Sequence, residues 1–71
     1  MMITRVQKLI VRQMAKGYTQ PEVSAYLKRR GITPNSLSTI EKELLKLKKE
    51  FKAQSMVHLF VILIRKGHLK V

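Results

Sequence analysis

The chain has 71 residues, 45% hydrophobic and none of them cysteine, which bounds it to one small domain over residues 1–71 and excludes a disulfide framework or thiolate metal site. With only His58 and His68, four glutamates, no aspartate and no glycine-rich phosphate loop, it offers neither a metal constellation nor an enzyme's nucleophile, base and acid, and no cofactor or small-molecule substrate is expected. Fifteen Lys and Arg leave a net charge of +11, a self-repulsion that a polyanion would offset, so nucleic acid is the expected partner, ahead of an anionic membrane surface.

Glycine, proline and threonine punctuate the chain into four helices. Thr4 is placed to cap a first helix that runs to about Lys16, with Val6, Ile10 and Met14 on one face and Leu9 beside them. Met1 to Ile10 lacks the apolar run and cleavage site of a secretory leader. Thr19-Gln20-Pro21-Glu22 reads as a capping box with proline in the first turn. It opens a second helix to about Arg30, turning Val23 and Leu27 inward. Thr33-Pro34 repeats that logic and predicts a third helix over 34–51, separated from the second by a short Gly31-Ile32 turn. Ser55 is placed to cap a fourth helix over 56–66. Gly17, Gly31 and Gly67 each follow basic residues, as left-handed glycines do at helix ends, where cations also favour the negative end of the helix dipole. No segment alternates with period two long enough to predict a strand. The expected class is all-α, a four-helix, helix-turn-helix domain.

The third helix carries the functional signal. Leu37, Ile40, Leu44, Leu47 and Phe51 share one stripe, expected to face the core. Asn35, Ser38, Thr39, Lys42, Lys46 and Lys49 lie opposite. Short hydrogen-bonding groups come first and lysines follow. A helix entering the major groove needs that order, because its first turns approach base edges while later cations reach phosphates. Surface lysines also occur on merely solvated helices, but Ser38 and Thr39 are poor helix formers where alanine or glutamate would stabilise more. Glu41 is expected on the core flank. Glu43 and Glu50 share a lateral edge where Lys46 can pair with them.

These segments resemble the LuxR/GerE-type DNA-binding domain found at the C-terminus of many bacterial response regulators. The similarity spans Ile3 to Leu69. Ile3-Thr4 resembles the family's opening Leu-Thr, and Ala15 to Val23 its A-x-G-x-S-N-K-E-I segment. Ile32-Thr33-Pro34-Asn35-Ser36-Leu37 resembles I-S-x-x-T-V, and Ser55 to Leu59 with Gly67-His68-Leu69 its last helix and closing Gly-Leu-Ile. Lys28 to Gly31 lengthens the turn by about three residues relative to that pattern. The resemblance implies a transcription regulator whose third helix reads double-stranded DNA. It also implies that Ser36 takes the place of the family's threonine, that Thr19 caps its helix near a phosphate, and that the fourth helix dimerises.

That fourth helix has more apolar surface than one core uses. Met56, Leu59, Phe60 and Leu63 form an inward face, whereas Val57, Val61, Ile62 and Ile64 point partly elsewhere and are expected at a homodimer interface. The competing reading is a protein-interaction module of the same fold that docks through helix 56–66. A membrane-surface peptide ranks last, because three glycine stops break the chain. The longest apolar run, Leu59 to Ile64, is far below the roughly 20 residues of a membrane span, so a cytoplasmic, nucleoid-associated location is expected.

Overall fold

A computed structural model describes residues 3–70; Met1 and Met2, within the stretch read for a leader, and Val71 lie outside the described residues. Four helices and no strand make up the described chain: α1 (Arg5–Ala15), α2 (Gln20–Arg29), α3 (Leu37–Glu50) and α4 (Met56–Arg65). The all-α class follows from local chemistry at each start. Thr4 accepts the Gln7 N–H at 3.1 Å, and the Gln7 side-chain oxygen accepts the Thr4 N–H at 3.0 Å, closing a capping box on α1. Gln7 is buried in that role. At α2, the Thr19 N–H donates to Glu22 Oε1 at 2.9 Å, and the Thr19 hydroxyl accepts the Glu22 N–H at 3.4 Å. The backbone N–H of Thr19, with its hydroxyl second, holds the Glu22 carboxyl below the usual carboxylate range. A cap of this kind contributes about 1 kcal/mol.

The third helix starts three residues later than 34–51 predicts. Ser36, rather than Thr33, is the N-cap, accepting the Thr39 N–H at 3.2 Å. The residues before it are held in a turn. The Asn35 amide donates to the Ile32 carbonyl at 3.0 Å, and the Asn35 carbonyl accepts the buried Ser24 hydroxyl at 2.6 Å. The link between α2 and α3 therefore occupies residues 30–36 instead of a two-residue Gly31-Ile32 turn. Asn35 lies in that link, half-buried, and not on the exposed face of the helix where the sequence reading puts it.

Three of the four stops are the glycines expected, with φ of 102° at Gly17, 65° at Gly31 and 80° at Gly67. The end of α3 has no glycine. Lys52 itself takes the left-handed conformation, φ 53°, and its N–H bonds to the Lys49 carbonyl at 3.1 Å. After α4, which ends at Arg65 with Lys66 as its cap, the Leu69 side chain tucks back into the core.

The core is aliphatic: Ile10, Val11, Val23, Leu27, Ile40, Leu44, Leu47, Leu59, Leu63 and Leu69. Each of the other helices packs on α3, which therefore presents only one side to solvent. Val11 replaces Val6 and Met14 at the centre of the α1 face, and those two are half-buried beside it. Leu37 departs from the inward stripe. It is 41% exposed, because the helix begins with it and the burial direction is set by Ile40, Leu44 and Leu47. Among the described residues, no helix is long and apolar enough to cross a membrane.

Candidate nucleic-acid interface

Once Ile40, Leu44 and Leu47 face inward, the helical period fixes what α3 shows on its other side. Ser38, Lys42, Leu45 and Lys49 follow one another at spacings of four, three and four residues along the most outward line, with Lys46 and Thr39 beside them. Ser38, Lys42, Lys46 and Lys49 are exposed, and Thr39 is half-buried. The arc they occupy, about 120° wide, contains no carboxylate. Glu41 is exposed on one flank, in place of the core flank expected for it, and Glu43 and Glu50 lie on the other. The predicted pairing is present at Glu43, whose Oε1 is 3.6 Å from Lys46 Nζ. Glu43 Oε2 is buried without a hydrogen-bond partner.

The predicted hydroxyls converge at the start of the helix. Ser36 Oγ lies 2.7 Å from Thr39 Oγ1 and 3.3 Å from Ser38 Oγ. This cluster sits where the first-turn N–H groups and the positive end of the helix dipole also point. Ser36 is thus first a cap, and Ser38 and Thr39 are the groups with remaining hydrogen-bonding capacity. Thr19, at the start of α2, is exposed but spends its hydroxyl on Glu22. Asn35 is spent on the turn.

Leu45 is the residue that sequence reasoning passes over. It is 58% exposed, and with Lys42, Lys46, Lys48, Lys49 and Ala53 it lines a shallow groove along the third helix. The Leu44-Leu45 pair hides it: two adjacent leucines cannot both face one core at helical spacing, but only the packing says which one leaves. An apolar side chain among cations suits contact with a thymine methyl group.

The residues expected at a dimer interface separate into two sets. Val57, Val61 and Ile64 form one exposed line on α4, with Val57 77% accessible. Ile62 does not join them. It is half-buried on the opposite flank, because α4 seats Leu59 and Leu63 against the core. His58 is local structure, its Nδ1 accepting the Gln54 N–H at 2.9 Å. Among the described residues no group of acidic and histidine side chains could hold a metal ion. In comparison with known proteins, no family model, no curated protein and no solved structure matches the chain.

Proposed function

We propose that this protein is a DNA-binding transcription regulator whose helix-turn-helix unit, α2, the 30–36 link and α3, lays α3 in the major groove. One observation carries the reading: the outward arc of α3 offers hydroxyls, an apolar spot and three lysines, and every carboxylate of the helix lies outside it. Ser38 and Thr39 are the short groups that reach base edges, Leu45 meets a thymine methyl, and Lys42, Lys46 and Lys49 hold phosphates. Ser36 positions the start of α3 near the backbone, where a helix N-terminus favours phosphate, whereas the start of α2 at Thr19 is already occupied by the Glu22 carboxylate. Selection of bound duplexes from a random pool is the direct test. Enrichment of a shared motif is the expected result, and a pool that stays random after several rounds would remove the reading.

Two copies pair through Val57, Val61 and Ile64 on α4, giving a homodimer with two reading helices about one DNA turn apart. The selected motif should then be symmetric. Val57→Glu with Val61→Glu places two charges on that exposed line without touching the core. We expect the double variant to sediment as a monomer at concentrations where the wild type is dimeric, with the same circular dichroism. A wild type that stays monomeric with and without its selected duplex ends the pairing idea.

The same exposed line on α4 favours a second reading, a protein-interaction module. The two respond differently to salt: phosphate contacts weaken steeply as it rises, whereas an apolar protein contact does not.

A further inference from the structure

The basic excess of this protein does not lie on its third helix. Within α3, four lysines stand against three glutamates. α1 carries Arg5, Lys8 and Arg12 with no acid at all, and Lys16 caps it. Spaced by three, four and four residues, these cations form one stripe. Arg5, Arg12 and Lys16 are exposed and Lys8 half-buried. The helix buries its opposite side, Gln7, Ile10, Val11 and Gln13, and packs on α2 and α3, so the stripe points away from α3. Lys8, Arg12 and Lys16 form one wall of a cleft whose other wall is the segment after α4, Gly67 to Lys70. His68 and Lys70 thus add nitrogen groups to it, and among the described residues no carboxylate lines it. The sole ion pair among the described residues is Lys46 with Glu43, on α3, so none of these cations is neutralised within the described fold.

From this surface we infer a second nucleic-acid site: the α1 stripe and the 67–70 segment hold the phosphate backbone of a second duplex while α3 occupies the first. The inference rests on the reading of α3 given above. The stripe extends about 16 Å, eleven residues at the rise of an α-helix, and a duplex presents roughly nine phosphate charges over that length. Its side chains are long cations without the short polar groups that read bases, so it grips backbone irrespective of sequence. A membrane surface fits less well. Among the described residues the large exposed apolar ones are Tyr18, Leu37, Leu45, Val57, Val61 and Ile64, and none lies on α1 or in 67–70, so no described side chain there enters the acyl region. Because the two cationic faces point apart on a body only 30 × 22 × 19 Å, one domain bridges two duplex segments.

The test mixes two short duplexes of unrelated sequence, one carrying a fluorescence donor and the other an acceptor, with the full chain at low salt. Energy transfer reports bridging, and anisotropy of one labelled duplex reports simple binding. Two variants are compared, Lys8→Gln/Arg12→Gln/Lys16→Gln on α1 and Lys42→Gln/Lys46→Gln on α3. We expect the wild type to give transfer, each variant still to bind a single duplex, and transfer to fall about tenfold or more in each as several phosphate contacts go. The combined variant should lose both signals. Circular dichroism unchanged from the wild type shows that the α1 variant is folded. Transfer that is absent from the wild type, or unchanged in the α1 variant, overturns the second site. Transfer lost in the α1 variant yet intact in the α3 variant leaves the α1 site standing and removes α3 as the first one.

Discussion

Lys42→Glu combined with Lys46→Glu is expected to lower affinity for the selected duplex by at least about a hundredfold. Each lysine held against a phosphate makes a hydrogen bond between charged groups, worth about 1.5–3 kcal/mol. Losing two removes roughly 3 kcal/mol or more, and each 1.4 kcal/mol is tenfold. Reversing the sign adds repulsion from the backbone. What remains should be weak, sequence-independent and salt-sensitive, carried by the cations of α1. The logarithmic salt dependence of binding should flatten by about 0.9 for each phosphate contact removed. The fold should survive, because Lys42 is exposed and the side chain of Lys46 is 67% exposed, with Glu43 as its ion-pair partner. The two substitutions place like charges three or four residues apart at 42–46, 43–46 and 46–50, each unfavourable by a few tenths of a kcal/mol and about 1 kcal/mol together. Filter binding across a salt series and circular dichroism together decide the matter. Undiminished affinity in a folded variant would mean that DNA does not touch α3.

The second large effect concerns the core beneath that face. Leu44 is 1% exposed on α3, the helix on which all the others pack. Leu44→Ala removes three buried heavy atoms and leaves a cavity, which costs about 3 kcal/mol within a usual range of 2–5. A chain of this length has only about 4–10 kcal/mol of total stability. The loss corresponds to a fall in Tm of roughly 12–24 °C for a domain of this size. Leu44→Met keeps the volume and should cost less than about 1.5 kcal/mol. Thermal unfolding followed at 222 nm measures both. A drop of only a few degrees for the alanine variant would place Leu44 outside the load path of the fold. The contrast with its neighbour is informative, since Leu45→Ala should leave Tm nearly unchanged.

Much of this architecture is written in local chemistry, which is why a linear reading finds it. Thr4, Thr19 and Ser55 satisfy N–H groups within the first turn that follows, and Gly17, Gly31 and Gly67 supply the backbone conformation for a stop. The start of α3 is the exception. Thr33-Pro34 carries the same local signature as Thr19-Gln20-Pro21, but Ser24, eleven residues before Asn35, holds the Asn35 carbonyl and delays the helix to Ser36. A contact between distant residues leaves no periodic trace. The same delay explains why Asn35 leaves the proposed interface and Leu37 leaves the core. On α4 the apolar residues run without interruption from Leu59 to Ile64, so the sequence offers no period from which to assign Ile62, and packing puts it with the half-buried set. On α3, Lys42, Lys46 and Lys49 were legible because the inward leucines fix their direction; Leu45 was not, because its type argues for burial.

The corner between α3 and α4 has a geometric consequence. Lys52 adopts a backbone shape that side-chain-bearing residues seldom hold, and only residues 51–55 separate the two helices. The direction in which α4 leaves α3 is therefore set across a five-residue link whose turn is made at Lys52. If two copies pair through α4 and α3 enters the groove as proposed, that corner would fix the spacing of the two α3 helices, and with it the number of base pairs between the halves of a selected symmetric site.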